Sequence, residues 1–477
     1  MDTNIGAKER VTQNRLIGLF KNVLKYTYLG NWETREDNAN IEEKLLTAYL
    51  SRRGYTDKEI RSSIVKLKQS ANSLGGGLYN ANKEVYTFLR YGVNIQAEVT
   101  EKKKMVHLID WANPMENDFQ IAEEVTIQGA SDRRPDLVVY VNGIALAVIE
   151  LKRSTVSAHE GIRQNIRNQQ DGYIPRFFTT IQLLFAGNDT EGLHYGVIKT
   201  PEKFWLRWKE PCGEPCQPSH FTAKEYPNEL DRSVLQFFEP VRLLEYIHDF
   251  IIFDGGIKKT ARPNQYFAVK AAQPRVRKKQ NGIIWHSQGS GKSLTMVWLA
   301  QWIRENVSDA RVVIITDRDE LDKQIESGFK DVGEQIQRAK SGGKLIEMLN
   351  AAEPWLICTL IHKFGNKNDS DAISVGNKKA SKSLDLYLEE LAKSLPADFC
   401  AKGNIYVFID ECHRTQGGML HEAMKHIMGN DVMLIGFTGT PLLHTDKKKS
   451  IETFGSYIHS YKFNEAVKDK VILDLRY

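Results

Sequence analysis

The chain has 477 residues, 41% of them hydrophobic and 26% charged, with a formal net charge of +5. It is too long for one compact core and too mildly basic for a general nucleic-acid field, so a globular protein of two or three domains is expected. No apolar run is long enough to cross a bilayer without charges, and the start lacks the basic-then-apolar order of a signal peptide; no membrane and a cytoplasmic address are expected.

Five cysteines (Cys212, Cys216, Cys358, Cys400, Cys412) make no disulfide framework. In PCGEPCQPSH, Cys212, Cys216 and His220 could offer three zinc ligands, against the plainer reading of a Pro-rich loop.

Up to about residue 95 the chain reads as helical. In NIEEKLLTAYLSRRGY and DKEIRSSIVKLKQSANSLGGG apolar residues recur at three-to-four spacing, and the second run stops at the glycines of residues 75–77. A β-rich block follows, in which YGVNIQAEVT, KMVHLIDW, FQIAEEVTI, DLVVYVN and IALAVIEL alternate with turn residues. Within it Asp136, Glu150 and Lys152 form the pattern Pro-Asp…Glu-x-Lys. Two carboxylates can hold a magnesium ion that lowers the pKa of an attacking water, and a lysine can orient that water and offset charge on the phosphorane. Glu-x-Lys on a strand also arises by accident.

The hairpin between these residues imposes a parity condition. A two-residue turn at Asn142-Gly143 puts Asp136 opposite Ile149, facing away from Glu150 and Lys152. A three-residue loop with Gly143 in a left-handed bulge puts it opposite Val148, on their face, and the chemistry requires this second arrangement. Downstream, RQNIRNQQDGYIP supplies Gln169 and Tyr173 at a spacing that places both on one helical face, with a plain helix surface as the other reading. Asp110, Glu42 and Glu43 are further carboxylates that spacing alone does not place. The strand TTIQLLFAGN closes the block, and after a polar, Pro-containing stretch (residues 200–228) a domain cut is expected at 240/241.

The second half changes rhythm. GIIWH, RVVIITD, WLICTL, NIYVFID and VMLIGFTG are near-continuous apolar strands separated by helical segments, which predicts a doubly wound parallel sheet. The stretch at residues 367–383 is poor in core residues and reads as a mobile loop. In GIIWHSQGSGKSLTMVWLAQW a buried strand runs through Gly289, Ser290, Gly291, Lys292 and Ser293 into a helix, the context of a phosphate-binding loop. Backbone N–H groups and the helix N-terminus would receive phosphates, Lys292 would neutralise them, and the Ser293 hydroxyl would ligate magnesium. Asp410 and Glu411 end the strand IYVFID: one would hold magnesium through water and the other polarise the attacking water. VMLIGFTGTP ends in Thr438, Gly439, Thr440 and Pro441. Upstream, the Gln265 amide can both donate to and accept from adenine, or form a polar turn. Basic runs at residues 270–280 and 446–450 could meet phosphates or be solvated faces.

The phosphate loop, the Asp-Glu strand end and the Thr-Gly-Thr strand end, in this order, resemble motifs I, II and III of superfamily two helicases, whose signature tolerates His286 at the place of the usual first glycine. MVHLIDWANPMENDFQIAEEVTIQG, RRPDLVVYVNGIALAVIELKR, IIWHSQGSGKSLTM, VVIITDRDELDKQI, VFIDECHRTQ and GFTGTPL together resemble the restriction subunit (HsdR) of type I restriction–modification enzymes. That resemblance implies an α/β chain with a PD-(D/E)xK nuclease-like domain, helical at its start, over 1–240 and a first RecA-like helicase domain over 241–477. It implies ATP and Mg2+ as cofactors and double-stranded DNA as substrate. It also implies methyltransferase and specificity subunits as partners, and cutting of unmodified DNA away from the recognition site after ATP-driven translocation. In the RecB-like branch of these nucleases the Gln-x-x-x-Tyr pair lies beside the metal and contacts DNA. The family carries a second RecA-like domain, with arginines that complete the ATP site; its absence here predicts ATP binding with slow hydrolysis. A RecB-like repair nuclease-helicase, and a truncated subunit that only binds the complex or DNA, stay open as alternatives.

Overall fold

The computed structural model describes residues 5–96, 103–211, 219–316, 335–339, 342–360, 401–412, 431–440 and 454–472, with the single positions 329 and 399. The expected loop at residues 367–383, the basic run at 446–450, Cys212 and Cys216 lie outside them. The chain forms two compact units that divide between Thr260 and Ala261, not at the expected 240/241.

The first unit begins with α1 (Ile5–Asn22), β1 (Thr27–Asn31), α2 (Glu43–Arg52), α3 (Asp57–Asn72), α4 (Gly77–Tyr91) and the short strands β2 (Val93–Ile95) and β3 (Lys104–Val106). Helix α3 starts at a capping box, in which Glu59 N–H donates to the Thr56 hydroxyl and Thr56 N–H to the Glu59 carboxylate. β1 departs from the helical expectation, because it lies parallel to β4 (Phe119–Glu123) as the edge of the main sheet.

That sheet continues through β5 (Leu137–Val141), β6 (Ile144–Leu151), β7 (Leu183–Asn188), β8 (Gly192–Gly196) and β9 (Leu206–Arg207), in the order β1-β4-β5-β6-β7-β8-β9. β6 and β7 are parallel, so a crossover must join them, and α5 (Ala158–Asn168) supplies it. Every residue of β4, β5, β6 and β7 is buried, which requires cover on both faces. One face packs Val138, Tyr140, Val148 and Leu184 against Ile162 of α5. The unit ends with α6 (Glu229–Phe238), α7 (Pro240–Asp249) and the hairpin of β10 (Ile251–Asp254) and β11 (Ile257–Thr260). The expected cut at 240/241 therefore falls where α6 gives way to α7, both of which belong to this unit.

The second unit contains α8 (Pro263–Arg277), β12 (Gly282–His286), α9 (Lys292–Asn306), β13 (Ala310–Thr316), β14 (Ile336–Ala339), α10 (Gly342–Asn350), β15 (Leu356–Leu360), β16 (Asn404–Ile409), β17 (Met433–Thr438), β18 (Tyr457–Tyr461) and α11 (Phe463–Lys468). All seven strands pair in parallel, in the order β14-β15-β13-β16-β17-β12-β18. β17 lies between β12 and β16, so the carboxyl ends of three adjacent strands open onto one edge, where ligands of doubly wound sheets bind. Among the described residues no helix is long and apolar enough to cross a membrane.

Candidate functional site

The first unit gathers its chemistry at the open end of the β5–β6 hairpin. The turn has two residues, Asn142 (φ 53°) and Gly143 (φ 81°), both left-handed, with Val141 paired to Ile144. The three-residue loop expected from the sequence is not formed. Instead the register shifts further along: Tyr140 pairs with Ala145, but Val139 pairs with Ala147, leaving Leu146 as an extra residue in β6. This β-bulge changes the parity of everything beyond it. Leu137 faces Ile149, and one step further Asp136 comes across from Glu150, on the face of Val138 and Val148.

The turn is an anchor beneath α2. Asn142 is fully buried and donates to Leu108 O (2.9 Å) and Asn117 Oδ1 (2.8 Å), while Glu42 N–H donates to Gly143 O. A Cβ on Gly143 would lie 2.6 Å from Leu45 Cβ and 2.8 Å from Leu46 N, so only glycine fits.

Around the paired acids each group has a distinct environment. Leu151 N–H donates to Asp136 Oδ2 at 2.6 Å. Burial lifts the Asp136 carboxyl to about 6, against the opposing pull of Lys152 and that N–H. Glu150 is fully buried, and among the described residues no lysine, arginine, amide or hydroxyl donates to either of its oxygens. Burial, and then the Asp136 charge, push its carboxyl well above the usual carboxylate range. Burial works against the charge on Lys152, but Asp136, Glu150 and Glu9 together outweigh it and raise the ammonium pKa. Gly161 of α5 makes room here, since a Cβ there would come within 3.3 Å of Glu150 Cβ.

Glu9 is the residue that sequence reasoning missed: from α1 it pairs with Lys152 Nζ at 3.1 Å. It comes from 143 positions away, so no local spacing could have signalled it. Next to it on the helix surface, Gln13 donates to the Asp136 carbonyl (3.3 Å) and to Glu123 (3.0 Å).

Other expected site residues have partners of their own. Helix α5 ends at Asn168, so Gln169 is its C-cap and Tyr173 follows in a turn; they do not share a helical face. The Gln169 amide donates to Asn165 O (2.9 Å) and accepts from Lys199 N–H (2.7 Å), which commits both its polar atoms to backbone. Tyr173 stacks under Arg133, 4.1 Å from the ring centre. Asp110 pairs with Arg53 (2.8 Å), Glu42 with Arg35 (2.6 Å) and Glu43 with Lys68, which accounts for the three acids left unplaced.

In the second unit, β12 delivers the loop that Gly289 (φ 81°) and Gly291 (φ 90°) bend into the start of α9 at Lys292 and Ser293. The loop is a cradle that a side chain would fill. A Cβ on Gly291 would lie 2.4 Å from Gln265 Nε2, and one on Gly439 2.8 Å from Lys292 Nζ. Ser290 is fully buried, its N–H and hydroxyl both donating to Ser287 O at 3.1 and 2.5 Å.

Asp410, 2% exposed, follows the last residue of β16, and Glu411 beside it adopts φ 48°, a left-handed conformation that costs a non-glycine residue energy. The strained backbone points the Glu411 carboxylate at the cradle: its Oε1 lies 3.6 Å from Lys292 Nζ, and Gly439 N–H approaches its Oε2 at 3.5 Å. Thr440 N–H donates to the Thr438 hydroxyl at 3.3 Å, closing the turn after β17. Gln265 is placed against the loop, but its amide donates to Gly291 O and accepts from Arg262 N–H, each at 2.8 Å. In this structure it braces the cradle, and both polar atoms expected for adenine are engaged.

Two family models match the chain in tandem: type I restriction enzyme R protein N terminus over residues 7–203, and SWI2/SNF2 ATPase over residues 264–477. The gap between them spans the division between the units. A Methanocaldococcus jannaschii protein, provisionally described as the type I restriction enzyme MjaIXP endonuclease subunit, is 26% identical over 98% of this chain and 46% of its own length. The type I restriction enzyme HindI endonuclease subunit of Haemophilus influenzae is 26% identical over 86% of this chain and 40% of its own. Among solved structures, a nuclease-deletion mutant of the Type ISP restriction-modification enzyme LlaGI, in complex with a DNA substrate mimic, aligns with 14% identity over 45% of this chain and 21% of that one. Its TM-score of 0.31 is too low to carry weight. The chain thus spans less than half the length of these two relatives. The two matches in tandem, together with relatives that run across both units, support a restriction (R, HsdR) subunit of the type I restriction–modification enzymes.

Proposed function

We propose that the chain is the cutting and DNA-pumping part of a type I restriction subunit: the first unit cleaves unmodified double-stranded DNA, and the second binds and hydrolyses ATP to move that DNA. A methyltransferase subunit and a specificity subunit would be its partners. The observation that carries the nuclease reading is Glu150, a fully buried carboxylate to which, among the described residues, no basic, amide or hydroxyl group donates, facing a second acid beside a lysine. A fold gains no stability from such an arrangement, and it fits a divalent cation.

Asp136 and Glu150 would hold Mg2+, which when bound supplies a water of lowered pKa at the scissile phosphate. The Leu151 N–H fixes one Asp136 oxygen and leaves the other for the ion. Lys152 keeps its proton, so its part is to offset phosphate charge and orient water rather than to act as a base. In the second unit Lys292 and the loop N–H groups would receive ATP phosphates, Ser293 and Asp410 would hold Mg2+, and Glu411 would orient the attacking water. Thr438 and Thr440 shape the adjoining wall.

The test uses the complete subunit assembled with its modification and specificity partners, on long unmodified DNA. Glu150→Gln should stop cleavage while ATP hydrolysis and displacement of a third-strand probe persist; Lys292→Ala should stop all three. Cleavage by the Lys292→Ala complex without ATP, or loss of ATP hydrolysis in Glu150→Gln, would refute this division of labour.

A further inference from the structure

His286 ends β12 at the threshold of the phosphate loop, and its side chain is turned wholly inward, 0% exposed. Its Nε2 lies 2.9 Å from Nδ1 of His459 on β18, which is 4% exposed. Its Nδ1 lies 3.4 Å from Asn264 Nδ2 on α8, and the same amide nitrogen lies 3.5 Å from Ser290 O in the loop. The neighbouring residue is gripped as well, because Ser287 N–H donates to Tyr461 O at 3.0 Å.

With the Asn264 amide nitrogen turned toward both Ser290 O and His286 Nδ1, the network sets the direction of each bond. An amide nitrogen only donates, so His286 Nδ1 must accept; a neutral imidazole then carries its proton on Nε2, which must donate to His459 Nδ1. The chain of bonds runs Asn264 N–H to His286 to His459. A proton added to either ring would set two donors face to face. Burial pushes both imidazoles down, His459 to about 4, which agrees with this neutral arrangement.

From this geometry we infer that His286 and His459 are positioning residues for nucleotide binding: the directed bond between them clamps the entry of the phosphate loop to β18 and holds the cradle in its receptive shape. The inference rests on the nucleotide-site reading of the second unit. Losing the acceptor at residue 459 would strand a buried N–H at residue 286, a penalty that shifts the loop's equilibrium on the order of ten-fold. The ring relieves this by leaving its place, and nucleotide must then bind a loop that is receptive only part of the time. A shift of that size weakens apparent affinity on the order of ten-fold.

The test is fluorescence titration of this chain with N-methylanthraniloyl-ATP and Mg2+. His459→Leu, which removes the acceptor, should bind on the order of ten-fold more weakly than the unaltered chain. His459→Asn, whose amide oxygen occupies the place of Nδ1, should restore most of the loss. Long-range 15N–1H spectra of the unaltered protein should show both imidazoles protonated at Nε2, assigned by the signals that disappear in His286→Gln and His459→Asn.

Equal affinity in His459→Leu, an Asn variant as weak as the Leu variant, or a His286 protonated at Nδ1 would each overturn the inference while leaving the nucleotide site in place. An unaltered chain that binds no better than Lys292→Ala would overturn the nucleotide reading, and the inference with it.

Discussion

Glu150→Gln should make the metal-free protein more stable and deprive it of its response to Mg2+. The substitution keeps the volume and removes one of two buried carboxyls that ionise against burial and against each other. In the unaltered protein burial raises Asp136 from 3.8 to about 6, and burial with the Asp136 charge raises Glu150 further. A carboxyl whose folded pKa exceeds its unfolded one keeps its proton longer in the folded state. Its contribution is therefore complete at acid pH and is lost as pH rises through about 4 to 6. For Asp136 the rise from 3.8 to about 6, at 1.36 kcal/mol per tenfold change in proton affinity, means that about 3 kcal/mol is lost by neutral pH in the absence of metal.

Glu150→Gln leaves the burial of Asp136 in place and removes the pH-dependent loss that belongs to Glu150 itself, so the melting temperature of this unit should rise by a few degrees, at about 2–4 °C per kcal/mol for a unit of this size. Tryptophan-fluorescence melts at about pH 8 and about pH 5, in EDTA and in millimolar Mg2+, would resolve it. The gain should be largest at the higher pH, and Mg2+ should stabilise the unaltered protein alone. A variant less stable than the parent in EDTA at about pH 8, or one that Mg2+ stabilises equally, would refute the reasoning.

Two further outcomes are expected. Lys152→Ala should slow cleavage by the assembled complex on the order of a hundred-fold or more while ATP hydrolysis and translocation continue, measured by strand scission beside probe displacement. Gly143→Ala should destabilise the first unit by about 3 kcal/mol or more, because the new Cβ meets backbone atoms at Leu46 N and Glu42 O and the φ of 81° is unfavourable for alanine; an unchanged denaturation midpoint would contradict it.

Much of the proposed nucleotide cradle was legible in the chain itself because its parts are local. A strand, two glycines with left-handed φ, a lysine and a helix follow one another within 282–306, and the acids and threonines stand at the ends of apolar strands whose burial reads directly from composition. The trio Asp136, Glu150 and Lys152 was likewise identifiable by residue type and spacing.

Which face those residues occupy was decided only by the tertiary structure. β5 and β6 are buried at every position, so they carry no polar–apolar alternation from which orientation could be read. The parity depends on one extra residue, Leu146, whose carbonyl accepts from Gln182 N–H beside β7, a partner set by the sheet and not by the hairpin. The end of α5 at Asn168 separated Gln169 from Tyr173, a boundary the helical spacing continued past. Glu9 reaches Lys152 across 143 positions and His459 reaches His286 across 173. Side-chain chemistry was written in the sequence, but the pairing of charges and imidazoles depends on which distant elements the sheets bring together, and local periodicity carries no record of that.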